Sequence, residues 1–288
     1  MSERELTFEG PSPLLYLIPT PIGNLSEFSP RALEVVKDMD FIACEDTRNT
    51  GSLLAHYGIK KATISCHEHN EEEAATKIIS LLKEGKKIAY MSDAGYPGIS
   101  DPGERLSKRC LKEGIKVTSV SGPSAFINAL VCSGLPTEHF HFEGFLPAKE
   151  SEKVARLQSL IKNPDTLIFY EAPHRIGKTL LLLAATLGDR KACLAREISK
   201  LHEEYIRANL SDLALLDENT LKGEMVIVVE GNTAKTEIDD QTIAFALKDQ
   251  LEYGRRSKEA IATVATTLNV NKNRVYDIYL KTFKSNQD

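Results

Sequence analysis

The sequence predicts an α/β protein with two successive α/β domains and a small helical region at its C-terminal end. Two observations predict the domains: short apolar runs alternate with amphipathic segments from 14 to 135, and a second series of the same kind begins at 151. The third observation concerns the residues after 240, which form three short helix-like segments.

The first series, 14–135, predicts a mostly parallel sheet covered by helices. Ser29 is a favourable N-cap before Pro30, and Gly85 and Gly114 are favourable stop signals for helices. Strands are predicted at 14–18, 40–44, 87–91 and 116–120, and helices within 29–38, 49–58, 70–85 and 102–114. Because each strand is followed by a helical segment, neighbouring strands are expected to run parallel.

A stretch rich in Pro, Gly and aromatic residues, 136–150, interrupts this pattern and is predicted to be the linker between the domains. The second domain is predicted at 151–232 and begins with a long helix. Its strands are predicted at 166–171, 191–198, 203–210 and 224–231. Since one short helical segment separates the last two, part of this sheet is expected to be antiparallel.

The remaining segments are predicted to be a flexible N-terminus (1–13), a polar linker (231–240) and a helical tail (241–288). The tail carries 8 basic and 5 acidic residues, against 28 and 36 in 1–240. Its last two helices have the rhythm of a helix-turn-helix, which favours nucleic-acid binding. A packing appendage explains the same pattern equally well.

Composition excludes several classes of protein. The chain has 288 residues, of which 42% are hydrophobic, and contains no run of the roughly 20 apolar residues that cross a bilayer. The N-terminus lacks a signal-peptide pattern, so a cytoplasmic location is expected. The five cysteines are scattered singly, which indicates neither a metal site nor a disulfide framework.

Three loops rich in Gly, Pro and Ser follow predicted strands: PTPIGNLSEFSP (19–30), SDAGYPGISDPG (92–103) and SGPSAFINA (121–129). In an open α/β sheet such loops converge on a ligand. Asp93 and Asp101 would repel a polyphosphate, and the phosphate-binding glycine motifs are absent from the sequence. A ligand with a carboxylate, a cation and an adenine suits the loops better, and S-adenosylmethionine has all three.

These loops, together with CEDTR (44–48), FYEAPHRI (169–176) and GEMVIVVEG (223–231), resemble the ribosomal RNA small subunit methyltransferase branch of the tetrapyrrole methylase superfamily. The likeness covers almost the whole chain after residue 13. It implies two class III methyltransferase domains with S-adenosylmethionine in the cleft between them, and a homodimer. It also implies methylation of the ribose 2'-oxygen of a decoding-centre cytidine in 16S rRNA, free or in the 30S particle.

The resemblance implies cofactor contacts at matching positions. Gly23 is kept where related enzymes have G-x-G-P-G-D, while Ile22 replaces their proline, and Asp93 is kept although MSDA replaces their GGDP. The implied cofactor-binding residues are Ile22, Gly23, Asp93, Ala94, Tyr96, Ser124, Ala125, Tyr170, Glu171 and Ala172. Asp101, beside Pro102 and Gly103, is interpreted as a helix cap.

Removing the proton of a ribose hydroxyl requires an acceptor, and the candidates are Asp46, Arg48 and His174, with Glu45 close by. No single catalytic base is designated. Asp46 and Arg48 also suit an ion pair that only caps the end of a strand.

RNA contacts are predicted on a rim of basic residues and on the tail. Because a cation at a helix start opposes the helix dipole, Arg175 is expected to meet an anion such as a phosphate. Lys200 and His202, which follow a predicted strand, are expected on the same rim. The predicted RNA-binding residues are Arg48, Arg175, Arg255, Arg256, Lys272 and Arg274.

Two other functions fit the same fold. One is methylation of a corrin or porphyrin precursor, because the superfamily fold alone does not select RNA. The other is a non-enzymatic RNA-binding adaptor that keeps the cleft for sensing the cofactor.

Overall fold

A computed structural model describes residues 6–10, 13–233 and 239–284. The predicted flexible N-terminus and the polar linker 231–240 therefore lie partly outside the described residues. The chain divides into two compact units between Asn232 and Thr233. Both sheets belong to the first unit, and the helical tail forms the second.

The first sheet has five parallel strands in the order β3-β2-β4-β1-β5. The strands are β1 (Leu14–Ile18), β2 (Phe41–Cys44), β3 (Ala62–Ser65), β4 (Ile88–Met91) and β5 (Lys116–Ser119). The helices between them are α1 (Pro30–Asp38), α2 (Thr47–His56), α3 (Glu71–Lys83) and α4 (Glu104–Lys112). The predicted mostly parallel sheet is confirmed.

Local signals in this half behave as the sequence predicts. Ser29 caps α1, since its hydroxyl oxygen accepts a hydrogen bond from the Ala32 backbone N–H at 3.1 Å. Gly85 and Gly114 follow α3 and α4 with φ of +84° and +73°, a conformation that glycine adopts without strain. The sequence pattern does not predict β3, an edge strand in which Ile64 is the one buried residue.

The second sheet has the order β6-β7-β10-β8-β9. Its strands are β6 (Phe140–Phe145), β7 (Thr166–Glu171), β8 (Lys191–Arg196), β9 (Glu204–Asn209) and β10 (Met225–Val229). Its helices are α5 (Ala125–Ser133), α6 (Glu150–Leu160), α7 (Ile176–Leu187) and α8 (Leu210–Leu213). Buried side chains of α5, among them Ala129 and Leu130, pack in one cluster with Ile168, Cys193 and Val226 of this sheet.

The prediction that 136–150 is a linker is wrong, because β6 lies within it and pairs parallel with β7. The register shifts between Phe142 and Gly144, and Gly144 has φ of +73°. The register shift is a β-bulge that accommodates Gly144 within the strand, although a glycine in this sequence context is typical of a loop.

The expected antiparallel part of the second sheet is present, with β10 antiparallel to both β7 and β8. However, β9 and β10 are not neighbours, since each pairs with β8 from a different side. The short segment between them therefore crosses over β8 instead of forming a local connection.

The C-terminal unit contains α9 (Asp240–Glu252), α10 (Ser257–Thr267) and α11 (Lys272–Tyr279), which confirms the three predicted helices. They enclose a small apolar cluster that includes Ile243, Leu247, Ile261 and Val275. In the described part of the chain, none of the helices has the length and apolar composition of a membrane span.

Candidate active site

Two loops of the first sheet are joined by backbone hydrogen bonds. Thr20, after β1, and Gly95, after β4, exchange two N–H to carbonyl bonds of 3.0 Å. The Thr20 hydroxyl donates to the Ser92 carbonyl at 3.1 Å, and the Ser92 hydroxyl donates to the Gly95 carbonyl at 2.6 Å. These bonds hold the loops in one arrangement, so their ligand-facing groups are preorganised.

The loop after β5 joins the same assembly through Gly122. Its backbone N–H donates to the Tyr96 hydroxyl at 2.9 Å. A Cβ atom on Gly122 would lie 2.8 Å from the Pro19 Cβ, so a larger residue there would separate the loops. All three predicted loops therefore meet at the carboxyl ends of β1, β4 and β5.

A buried carboxylate from another helix fixes the end of the loop 92–103. One carboxylate oxygen of Glu71 accepts from the backbone N–H groups of Gly103 and Leu106, each at 3.3 Å. The prediction that Asp101 caps this helix is wrong, because Gly103 occupies the N-cap position and Glu71 supplies the acceptor. Asp101 is thereby left for another role.

A cavity of about 270 Å³ lies between these loops and the second sheet. Eight of the ten predicted cofactor residues line it: Ile22, Ala94, Tyr96, Ser124, Ala125, Tyr170, Glu171 and Ala172. The sequence interpretation missed other lining residues, among them Ile99, Asp101, Phe145, Ile198 and Glu224. Glu224 lies inside the GEMVIVVEG motif, and Asp101 lies inside the loop 92–103, so both were within segments already singled out.

The other two predicted cofactor residues, Gly23 and Asp93, line a separate cavity of about 180 Å³. The Asp93 carboxylate accepts a hydrogen bond of 2.7 Å from the Asn49 side-chain amide. Gly23 has φ of +136°, and a Cβ atom there would lie 2.5 Å from the Lys200 side chain. Lys200 in turn contacts the carboxylates of Glu197 and Glu224 at 2.9 and 3.1 Å.

Among the carboxylates that line the large cavity, Asp101 has the surroundings that most disfavour its charged form. Burial raises its pKa to about 7, and the nearby carboxylates of Glu45, Asp93 and Glu224 add to the increase. Burial and Asp93 also raise the pKa of Glu45. A positively charged ligand in this cavity would relieve the repulsion, so the environment favours a cation.

Glu171, on the opposite side of the cavity, is fully compensated. One carboxylate oxygen accepts from the Ala172 backbone N–H at 2.9 Å and lies 3.0 Å from the Arg175 guanidinium. The other accepts from the Thr179 hydroxyl at 2.6 Å, and Lys153 donates to that hydroxyl at 3.3 Å. The anion that Arg175 meets is therefore Glu171, and its guanidinium also donates to the Leu146 carbonyl at 3.0 Å.

Aromatic rings form one wall of the cavity. Tyr170 packs edge to face against Phe142 and Phe145, with ring centroids 5.0 and 5.4 Å apart. Burial raises the pKa of the Tyr170 hydroxyl to about 12, so it remains protonated near neutral pH. The wall supplies apolar surface suited to a flat ring.

Asp46 and Arg48 form the ion pair that the sequence permits. Asp46 caps α2 by accepting from the Arg48 backbone N–H at 2.8 Å, and the Arg48 guanidinium contacts the same carboxylate at 2.7 Å. These hydrogen bonds lower the pKa of Asp46 to about 2. His174 is exposed and follows the cavity-lining Pro173.

The predicted basic residues of the tail are exposed on the C-terminal unit. Arg274 pairs with Asp240 at 2.8 Å, and the Arg255 guanidinium donates to the Thr263 hydroxyl at 2.9 Å. Arg256 is the N-cap residue of α10, and Lys272 is the first residue of α11. His202, like the tail residues, is exposed, but it belongs to the first unit.

The chain is similar to a known protein family and to named proteins over most of its length. The family model described as tetrapyrrole (corrin/porphyrin) methylases matches residues 14–214. A ribosomal RNA small subunit methyltransferase I from Bacillus subtilis is 42% identical, covering 97% of this chain and 99% of that protein. One from Pasteurella multocida, with the same name, is 42% identical and covers 94% and 98%.

Solved structures show the same fold at low sequence identity. A uroporphyrin-III C-methyltransferase from Thermus thermophilus is 18% identical with a TM-score of 0.54, covering 75% of this chain and 94% of that one. A cobalt precorrin-4 methyltransferase is 17% identical with a TM-score of 0.55 and the same coverage. Both coverages leave about a quarter of this chain unmatched.

Proposed function

Because this chain belongs to the tetrapyrrole methylase family, we propose that it methylates the ribose 2'-oxygen of a decoding-centre cytidine in small-subunit ribosomal RNA. The observation that carries the proposal is the large cavity. It combines an aromatic wall with the half-buried carboxylate of Asp101, which neighbouring carboxylates repel. Relatives that share 42% of the sequence over nearly its whole length are named for methylation of small-subunit rRNA.

The methyl donor is S-adenosylmethionine, and the residues present fit it. Asp101 offers a carboxylate that a cation would relieve, while Tyr170, Phe145 and Ile22 offer apolar surface for the adenine. Ser124 and Ala125 begin α5, where backbone N–H groups without helical partners can meet the carboxylate of the amino acid. These groups support the cofactor assignment, because each part of S-adenosylmethionine has a chemically complementary partner among them.

Held by the residues that line the large cavity, S-adenosylmethionine would supply a methyl carbon activated by its sulfonium. The ribose oxygen would bond to this carbon while the electron pair of the C–S bond stays on the thioether sulfur. The protein holds donor and acceptor in line and excludes water from the cavity. The hydroxyl proton needs an acceptor, and Asp46 is unsuitable because its pKa is lowered to about 2. His174, an exposed imidazole beside the cavity-lining Pro173, is the proposed acceptor.

The activity is tested by incubating the purified protein with labelled S-adenosylmethionine and small ribosomal subunits from cells that lack it. Label is expected in one cytidine of the rRNA, as a ribose methyl group located by mass mapping. Label in a corrin precursor, and none in rRNA, would instead indicate a tetrapyrrole methylase. Cofactor binding without any transfer would indicate an adaptor.

The cofactor assignment is tested by calorimetry on two matched variants. Asp101→Asn is expected to weaken S-adenosylmethionine binding about 10- to 100-fold, because it removes a charge-assisted contact. Asp38→Asn, at an exposed carboxylate that pairs with Lys87 outside both cavities, serves as the control and should leave the affinity unchanged. Equal effects of the two variants would contradict the assignment.

The C-terminal unit is proposed to contribute to RNA binding through phosphate contacts. The double variant Arg256→Glu/Lys272→Glu, at two exposed positions, should weaken RNA binding and flatten its dependence on salt, with cofactor affinity unchanged. An unchanged salt slope would assign RNA binding to the residues near Arg48 and Arg175 instead.

The protein is proposed to act in the cytoplasm as a homodimer. Ile127 and Val131 lie four residues apart on one face of α5 and are exposed, which gives that helix an apolar surface. Light scattering after size-exclusion chromatography would give twice the chain mass of 31.9 kDa for a dimer. A single-chain mass at micromolar concentration would contradict it.

A further inference from the structure

The small cavity beside the large one has a lining of mixed character. It combines three apolar side chains with four polar ones: Pro21, Leu25, Leu53, Asn49, Thr50, Ser92 and Asp93. The cofactor contacts proposed above and the hydrogen bonds between the loops do not involve the Asn49–Asp93 pair. The cavity therefore has ligand-binding chemistry without an assigned ligand.

Its position suits the acceptor of the methyl group. Ile22 lines the large cavity and the next residue, Gly23, lines the small one. On the other side, Asp93 lines the small cavity and Ala94 the large one. Since the reacting atoms in such a transfer must approach to about 3–3.5 Å, the acceptor has to occupy space that adjoins the donor.

The size of the cavity limits what it can hold. Its volume is about 180 Å³. An apolar cavity of about 150 Å³ in another protein accepts a benzene molecule, so there is room for one six-membered ring with small substituents. A pyrimidine base meets this limit, and the apolar side chains of Leu25 and Leu53 can contact its faces.

The polar pair suits the edge of cytosine. The Asn49 amide donates to one oxygen of Asp93 at 2.7 Å, which leaves other lone pairs of this exposed carboxylate available. A carboxylate accepts from the exocyclic amino group of cytosine. Uracil presents a carbonyl oxygen at that position, which a carboxylate repels.

We propose that the small cavity binds the base of the acceptor nucleotide and that Asp93 selects cytosine over uracil there. The proposal rests on the proposed function, because it requires a nucleotide acceptor. Asn49 acts as a positioning residue that orients the Asp93 carboxylate. The ribose then lies between the two cavities, beside the backbone of Ile22 and Gly23.

The first test fills the cavity without changing the lining of the large one. In Leu25→Trp, S-adenosylmethionine affinity by calorimetry should match wild type, while methyl transfer to small subunits falls about 10- to 100-fold. Leu111→Trp is the matched control, an exposed leucine on α4 outside both cavities. A normal transfer rate in Leu25→Trp, or a loss of cofactor binding, overturns the proposal.

The second test changes the selected base. Subunits are reconstituted with the acceptor cytidine, located with the wild-type protein, or with uridine in its place. Wild type should prefer cytidine, and Asp93→Asn should lower the cytidine-to-uridine ratio of rates about 5- to 150-fold, because an amide can donate to the uracil carbonyl. An unchanged ratio overturns the role of Asp93.

The controls separate the failure of this proposal from that of the proposed function. If wild type methylates small subunits and both variants behave like it, the acceptor base binds elsewhere and the proposed function stands. If wild type transfers no methyl group to small subunits, the proposed function and the cavity assignment both fail.

Discussion

Two carboxylates on opposite sides of the large cavity illustrate two different uses of a buried charge. Glu171, at the end of β7, is surrounded by Arg175, Thr179 and a backbone N–H group. Asp101, in the loop after β4, faces the carboxylates of Glu45 and Glu224, and burial raises its pKa to about 7. The first charge is already satisfied by the protein, whereas the second is prepared for a positively charged ligand.

A residue that lines a cavity is therefore not necessarily a ligand-binding residue. Motif resemblance implied a cofactor contact for Glu171 and none for Asp101. The hydrogen bonds assign Glu171 to the architecture of the β7–α7 turn, while Asp101 remains available. Whether a carboxylate already has charged or hydrogen-bonding partners in the protein therefore distinguishes a structural role from a ligand-binding one. Variants at Glu171 and Asp101 test this distinction.

The largest effect is expected from removing the satisfied carboxylate. Glu171→Ala should lower the free energy of unfolding by about 3–5 kcal/mol, because it leaves Arg175 and Thr179 without their buried partner. Urea unfolding followed by circular dichroism measures it. Glu113→Ala, which breaks only a surface ion pair with Lys83, is the control and should change little.

A smaller decrease in the free energy of unfolding is expected when Glu171 is kept and its hydrogen-bond donor Thr179 is replaced. Thr179→Val keeps the shape of the side chain but leaves a Glu171 oxygen without its 2.6 Å hydrogen bond, so about 1–3 kcal/mol should be lost. Thr76→Val, on the exposed side of α3, provides the comparison in the same unfolding assay. Equal stability of the two variants would mean that the hydrogen bond from Thr179 to Glu171 does not contribute to the free energy of unfolding.

Substitution of Asp101, the carboxylate without a compensating partner, should raise the free energy of unfolding instead of lowering it. The raised pKa of Asp101 means that the cofactor-free protein loses stability as the pH rises from about 4 to about 7, where this carboxyl ionises in the folded state. At pH 8, Asp101→Asn should be more stable than wild type, by on the order of 1 kcal/mol. The two proteins should converge at pH 4, and unfolding curves at both pH values check this.

The exposed pair beside the site should matter least for stability. Arg48 is 88% exposed, and its contact with Asp46 lies in solvent. Arg48→Ala is therefore expected to leave the unfolding curve unchanged and to reduce RNA affinity only at low salt. A clear loss of stability would show that exposure is a poor guide to the structural role of these charges.

The sequence alone predicted eight of the ten strands, the ends of several helices and the convergence of the three loops. These features follow from local chemistry: apolar periodicity, the cap at Ser29 and the stop glycines act within a few residues. The strand β6 was missed because Gly144 looks like a loop residue until β7 provides the partner for a bulge.

The partners of the polar residues around the site depend on contacts between segments that are distant in the sequence. Glu71 caps α4 from 32 positions away in the sequence, which frees Asp101, and Asn49 reaches Asp93 from α2 across 44 positions. Sequence reasoning assigned Asp101 to the helix from its neighbours Pro102 and Gly103, and Asp93 to the cofactor from the family resemblance and the convergence of the loops. Charge compensation depends on distance in space, so the roles of these carboxylates appear only when the chain is folded.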